Sequence, residues 1–138
     1  MGKIAGLTTW VEVNTGTYGS PVWTKVGGQK DASWSWALDE IETTDKDSGG
    51  WKERLPGNRE ITIDFDCFLI EDNAGLVEMK KGFWDPTPKL LDLRLKTPSY
   101  VYRGYFKLGE GAGEAPLDDA VTIAFSMVST AVVTEAAA

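Results

Sequence analysis

Hydrophobic and polar residues alternate along several segments of this chain. In residues 60–70, apolar side chains occupy every second position, and polar side chains occupy most of the others. Because successive side chains of an extended strand point to opposite faces, this pattern predicts a strand with one buried face. Further segments show the same pattern, some in a shorter form: 9–13, 21–26, 33–38, 91–96, 100–108 and 121–128. About seven strands separated by turn residues predict a mostly β fold, either a sandwich or a barrel.

One segment, residues 72–84, has helical spacing instead. Its apolar residues recur at the intervals that place them on one face of a helix. Asp72 or Asn73 is suited to cap the N-terminus of this helix, and Pro86 and Pro88 end it. The sequence therefore predicts one short helix beside the strands.

Two long connections and a weakly specified end interrupt the strand pattern. The first connection, residues 39–59, lacks sustained alternation but contains Trp51. Loops longer than about 12–15 residues are usually functional or disordered. Since a disordered linker has little use for a Trp, we expect an arm that orders against its own domain or a neighbour. The second connection, residues 109–119, is rich in Gly and acidic residues and has no Lys or Arg. A third segment, residues 131–138, is expected to form a flexible C-terminal end.

Length and composition are those of one domain. The chain has 138 residues, of which 42% are hydrophobic, so residues 1–138 are expected to form a single domain with its own core. Fourteen basic residues against 21 acidic ones leave a net charge of −7. This balance argues against a protein that coats DNA or RNA, because such binding comes mainly from Lys and Arg on phosphates.

The absence of some residue types excludes several kinds of chemistry. The chain has no His and one Cys, Cys67, which excludes His-dependent catalysis, His metal sites, an intrachain disulfide and a Cys-based zinc site. We therefore expect no cofactor and no metal. The first ten residues lack the apolar centre of a secretory signal, and no apolar run approaches the roughly 20 residues that cross a bilayer. We expect no membrane partner and a cytosolic address by default.

Three local patterns suggest chemistry, and each has a simpler interpretation. Residues 109–113 alternate Gly with Glu or Ala like a phosphate-binding loop, but they open no helix and carry an acid, which favours a turn. Asp64 and Asp66 share a strand face, roughly 7 Å apart, as a glycosidase pair could be, but nothing else builds a site around them. Cys67 lies on the apolar face and is expected to be a buried, inert thiol. We therefore predict that the protein is not an enzyme.

The six Trp residues leave a second function open. Carbohydrate-binding modules with a β-sandwich fold stack sugars on Trp side chains, whereas other proteins use Trp in cores or as protein–protein anchors. Trp34 and Trp36 share a face with Leu38, which favours burial. The Trp residues that lie beside polar neighbours are candidates for exposed positions: Trp10, Trp23 and Trp51.

Several segments together resemble a known family. These are Ala5–Thr9, Glu12–Gly16, Gly27–Asp31, Thr44–Gly57, Ile63–Asp66 and Ala115–Val121. The most specific is Ser-Gly-Gly-Trp-Lys-Glu-Arg-Leu at 48–55. Across nearly the whole chain, these segments resemble the major tail tube proteins of long, non-contractile-tailed bacteriophages (siphophages), which have relatives in gene transfer agents.

The resemblance implies a fold, an assembly and a set of partners. The fold is a β-sandwich or half-barrel with one flanking α-helix, and six copies form rings that stack into a hollow tube through which DNA passes. Partners are other copies of the chain, tail tip or baseplate proteins and tail terminator proteins, with tape measure protein and DNA in the lumen without tight binding. The location is the virion tail, assembled in the host cytoplasm. The alternative remains a Trp-rich β-sandwich carbohydrate-binding module.

Two groups of residues are candidates for roles in such a tube. The arm that carries Trp51 is expected to contact a neighbouring subunit or ring through Ser48, Gly49, Gly50, Trp51, Lys52 and Arg54. Asp64 and Asp66 point away from the apolar face of their strand and are expected to line the lumen. Acidic side chains there would repel the phosphates of passing DNA.

Overall fold

The computed structural model describes residue 3 and residues 6–137. These residues form eight strands and one α-helix, which confirms the predicted mostly β fold with a single helix. In chain order the elements are β1 (Trp10–Asn14), β2 (Trp23–Lys25), β3 (Gly28–Glu42), β4 (Arg54–Phe68), α1 (Ala74–Trp84), β5 (Leu91–Lys96), β6 (Tyr100–Glu114), β7 (Thr122–Ser129) and β8 (Thr134–Ala137).

The strands form one antiparallel sheet that curls without closing. Their order is β2-β1-β5-β6-β7-β4-β3, and β8 pairs with β6. The end strands β2 and β3 are consecutive in the chain, so the curled sheet brings the start of β3 near β1. There the Val11 N–H donates a hydrogen bond to Gln29 Oε1 over 2.9 Å, and Gln29 Nε2 donates one to the Val11 carbonyl oxygen. These two hydrogen bonds connect β3, at one end of the sheet, to β1, which lies next to the other end. The sheet is therefore a half-barrel.

One face of the sheet carries the core. On β4, Ile63, Phe65 and Cys67 are buried, as their alternation predicts. Leu76 and Met79 of α1 belong to the same cluster. Its other buried apolar side chains are Val26, directly after β2, and those of the strands: Val11, Val13, Leu91, Leu93, Leu95, Phe106, Phe125 and Met127. The helix therefore covers apolar side chains that the sheet alone would leave exposed.

The start of α1 is fixed by Asn73, one of the two predicted caps. Its Oδ1 accepts hydrogen bonds from the N–H of Leu76 over 2.9 Å and from the N–H of Gly27 over 3.0 Å. The second bond ties the helix to the turn between β2 and β3. Gly75 allows this close approach, because a Cβ there would lie 2.5 Å from the Lys25 carbonyl oxygen.

The structure differs from the sequence predictions in three segments. The loop predicted at 39–59 is instead the outer part of a hairpin, since β3 continues to Glu42 and β4 begins at Arg54. Residues 109–114 of the second predicted connection continue β6 and pair with β7. Within the end predicted to be flexible at 131–138, Thr134–Ala137 forms β8 against the start of β6, and Ala138 lies outside the described residues.

Truncation of Phe65 is expected to destabilise the subunit strongly. The side chain is buried, and its ring lies 5.5 Å from that of Phe125. Phe65→Ala leaves a cavity and is expected to lower the free energy of unfolding by about 3–5 kcal/mol, as measured by denaturant titration. The control Phe83→Ala removes an exposed ring of α1 and should cost less than about 1.5 kcal/mol. Equal unfolding midpoints for wild type and Phe65→Ala would place Phe65 outside the core.

Candidate assembly interface

The hairpin of β3 and β4 ends in a loop, residues 43–53, that has a defined structure. The loop is closed at its base, where the Thr43 N–H donates to the Glu53 carbonyl oxygen over 3.0 Å. Within it, Asp45 and Ser48 cap a single helical turn reciprocally. Gly49 and Gly50 follow with φ of 66° and 85°, a backbone region that favours glycine. The loop therefore has an ordered conformation, and residues 43–53 are called the tip of the arm.

Five of the six predicted contact residues lie in this loop, and Arg54 begins β4 directly after it. They differ in what they offer a partner. Ser48 is nearly buried in the capping turn, and Gly49 and Gly50 shape the turn that follows it. Arg54 Nε forms an ion pair with Glu40 Oε2 over 3.1 Å within the hairpin. Trp51 and Lys52 are exposed, and 80% of the Trp51 surface is accessible. These two side chains are the ones most available to another molecule.

The face of the hairpin that carries Trp34, Trp36 and Leu38 is exposed, although the sequence favoured its burial. Their accessible fractions are 41%, 75% and 55%. Trp34 lies on the end strand of the sheet, opposite Ile63. For Trp36 and Leu38 the cause is the length of the hairpin, because β7 pairs with β4 only from Thr62 onward. Beyond that point β4 pairs with β3 alone. Alternation correctly predicted that these three side chains share a face, but no other layer of the described residues covers that face.

Two of the other Trp residues are stacked against cations. Lys25 Nζ lies 3.9 Å from the ring centroid of Trp10, and the Arg94 guanidinium lies 4.6 Å from that of Trp23. Both Trp side chains are half-buried. Since cations already cover these rings, they are poorly placed to stack on a sugar.

The four strands β6, β7, β4 and β3 form a continuous part of the sheet with two free edges. Strand β3 pairs with β4 on one side and, within the described residues, with no strand on the other. Residues 109–114 of β6 pair with β7, and their opposite edge likewise meets no strand of the described chain. Open strand edges of this length readily pair with another chain unless charged residues, prolines or bulges on the edge prevent it.

The face of this four-strand region opposite the core is polar and acidic. Asp64 lies in register with Ser33 of β3 and Ser126 of β7, and Ser126 lies in register with Glu110 of β6. Directly paired residues point to the same face, so a polar row crosses all four strands. Asp64 and Glu110 are exposed.

Further acids lie on the same face. Asp66, which is half-buried, is in register with Ala124, and Glu114 is in register with Thr122. Lys107 also lies on this face, in register with Val128. Asp64 and Asp66 are thus part of a larger acidic surface that includes Glu110 and Glu114, which the sequence interpretation placed in the connection 109–119.

Cys67 lies on the opposite, apolar face. Burial, with a smaller contribution from the charge of Asp66, raises the pKa of its thiol to about 11. Its Sγ donates a hydrogen bond to the Ile123 carbonyl oxygen over 3.7 Å. The thiol is therefore buried and protonated at neutral pH, as the sequence predicted.

A family model described as phage tail tube protein matches residues 3–135. The chain belongs to this family. Tail tube proteins are structural subunits of the phage tail, so membership favours the tube subunit over the carbohydrate-binding module. It also confirms the resemblance to tail tube proteins across nearly the whole chain. A comparison with curated proteins found no match.

Solved structures share the tail tube fold. One is a chain from the tail of an empty gene transfer agent particle with sixfold symmetry (TM-score 0.80, 16% identity, 94% of this chain and 96% of that chain covered). A second is the tail tube of phage SPP1 (TM-score 0.77, 10% identity, 99% and 80% covered). A third is a sheath–tube complex of an extracellular contractile injection system (TM-score 0.66, 12% identity, 99% and 93% covered).

Among the described residues, no group of three or more His, Cys, Asp or Glu side chains is placed to hold a metal ion. No helix within the described part of the chain is long and apolar enough to cross a membrane.

Proposed function

We propose that six copies of this tail tube protein close into a ring, and that rings stack into a hollow tube that conducts DNA. The observation that carries the proposal is the pair of free edges on the four-strand region β6-β7-β4-β3. The sixfold symmetry of the gene transfer agent tail, whose chain has the same fold, supports the number of copies.

Strand directions are compatible with ring closure. Each strand of the region is antiparallel to the next, so β3 at one edge runs opposite to β6 at the other. If the β3 edge of one copy meets residues 109–114 of the next, the two strands pair antiparallel and continue the sheet. Repetition of this heterologous contact around a closing rotation gives a ring. Four strands from each subunit then form one continuous barrel.

The acidic face would then line the lumen. The core lies on the other face of the same strands, so closure of the barrel directs Asp64, Asp66, Glu110 and Glu114 inward. An acidic wall repels phosphates, and it avoids the tight binding that Lys and Arg would produce. DNA and tape measure protein could then pass without being held.

The hairpin tip provides the contact between rings, with Trp51 as its anchor. Aromatic side chains at the centre of an interface commonly account for much of its binding energy. At the ends of the tube we infer tail tip or baseplate and terminator proteins as partners, with assembly in the host cytoplasm before incorporation into the virion tail. Chains of similar fold occur in a tube-terminating cap, a sheath/tube terminator and a baseplate.

Electron microscopy of the concentrated, purified chain tests the proposal. Rings or hollow tubes are expected, alone or after seeding with a preformed tail tip. In parallel, electrophoresis through gels that contain polysaccharide tests the alternative, because a carbohydrate-binding module is retarded there. A protein that stays monomeric with seeds and is retarded in those gels would overturn the tube proposal in favour of the module.

A further inference from the structure

An open, largely apolar cleft of about 730 Å³ lies beside the hairpin. One wall is the outer half of the hairpin, and the other consists of parts of β5, β6 and β8. The apolar lining includes Trp36, Leu38, Pro56, Ile61, Tyr102 and Val133.

The cleft exists because the two walls separate where β7 ends. The Ile61 N–H donates a hydrogen bond to Ser129 Oγ over 2.9 Å, which is the last link between β4 and β7. After Ser129 the chain crosses to β8, which pairs with β6, while the hairpin continues outward with β4 paired only to β3. A contiguous exposed apolar surface rimmed by polar residues marks an interaction site.

The tip of the same chain does not fill the cleft. Pairing of Ile41 with Leu55 and of Glu42 with Arg54 keeps the hairpin extended to its loop. At about 3.3 Å per residue, the seven steps from Ile61 to Arg54 place the loop roughly 20 Å beyond Ile61 at the base of the cleft. Trp51 does not line the cleft of its own chain, whereas a second copy could present its tip there.

A charge on the tip is complementary to a charge on the cleft. Glu53 lies two residues after Trp51 on the tip, and Arg59 lines the cleft in register with Leu38. Neither side chain forms an ion pair within the described residues. Glu53 is therefore matched by Arg59. The Glu135 carboxylate at the rim is different, because it accepts a hydrogen bond from the Tyr102 hydroxyl and so raises the pKa of that hydroxyl.

We propose that the cleft receives the hairpin tip of a second copy, with Trp51 against its apolar walls and Glu53 facing Arg59. The proposal rests on the tube function and identifies the surface of the next ring that each arm binds. Because tip and cleft are different surfaces of one chain, the contact is heterologous and propagates along an axis rather than pairing two copies.

Cross-linking between variants that each carry one added cysteine tests the contact. Lys52→Cys places a thiol beside Trp51, and Glu135→Cys places one on the rim of the cleft; Cys67 is buried and stays in place. A mixture of the two variants is assembled into tubes and oxidised. We expect cross-linked dimers on non-reducing gels from tubes and none from unassembled subunits. In the control mixture, Leu117→Cys replaces Glu135→Cys, because Leu117 is fully exposed and lies outside the cleft.

The outcomes separate this inference from the proposed function. Normal tubes without cross-links, or with as many cross-links to position 117 as to position 135, would overturn the assignment of the cleft while leaving the tube function intact. If Lys52→Cys prevents growth, Glu53→Cys is used in its place and the same outcomes apply. If the wild-type chain forms no tubes when seeded, the proposed function itself fails.

Discussion

Replacement of Trp51 by alanine is expected to stop tube growth while the subunit stays folded. Trp51 is 80% exposed at the end of the arm and contributes nothing to the core cluster. Loss of a surface side chain usually changes the free energy of unfolding by less than about 0.5 kcal/mol. Loss of an interface anchor costs about 2 kcal/mol or more, which is roughly a 30-fold loss of affinity at each contact. Since every ring depends on the same contact, growth should fail at concentrations where the wild type elongates.

Thermal unfolding and electron microscopy of the variant check both parts of this expectation. The matched control is Trp84→Ala, because Trp84 is a similarly exposed side chain (76%) on α1, away from the tip. We expect tubes of normal length from Trp84→Ala and none from Trp51→Ala. Normal tubes from Trp51→Ala would remove the arm from its proposed role.

Reversal of Asp64 and Asp66 to Lys is expected to allow assembly yet impede the passage of DNA. The double variant places two cations in the proposed lumen of each subunit, and Lys residues bind phosphate. Particles built with it should eject their genome more slowly than wild type, and isolated tubes should retain duplex DNA. Because exposed charges are screened by salt, the delay should shrink as ionic strength rises.

A change of equal charge elsewhere provides the control. Asp118→Lys with Asp119→Lys makes the same charge reversal on an exposed turn between β6 and β7. This control should eject DNA at the wild-type rate. Asp66 is half-buried, so the single variant Asp64→Lys, at an exposed site, repeats the test with less effect on folding. Wild-type ejection rates from Asp64→Lys and from a folded double variant would show that these acids do not line the channel.

Local sequence patterns predicted the parts of the fold whose structure depends on local neighbours. Alternation across residues 60–70 identified the buried face of β4, including Phe65. Helical spacing with an Asn cap identified α1, and Asn73 does cap it. The strand follows from a pattern of neighbouring side chains, and the helix from such a pattern together with one capping residue, without reference to distant strands.

The hairpin and the end of β6 depend instead on pairing between distant segments. Residues 39–42 and 54–59 show little alternation, and they become strand because they pair with each other across the tip. Residues 109–114 place Gly at every second position, which suits a strand whose core face lies against Phe125. That two-residue period of Gly was the available signal for a strand, but Gly is also the commonest mark of a turn.

Exposure of Trp34, Trp36 and Leu38 could not be predicted from the chain alone. Alternation reveals which side chains share a face, but it does not reveal whether that face meets its own domain or another molecule. In a subunit that assembles with other copies, some apolar faces become buried only at the interface. Such faces show the same sequence pattern as the core, but they are exposed in the single chain. Interface residues and core residues therefore share one pattern in such a protein.

Helical reconstruction by cryo-electron microscopy of tubes grown from the purified chain is the most direct test of ring closure. The account predicts a hollow tube with sixfold rings, in which β3 of each subunit pairs antiparallel with residues 109–114 of its neighbour and Asp64 faces the lumen. A ring joined through other edges, or a lumen lined by the face opposite Asp64, would contradict it.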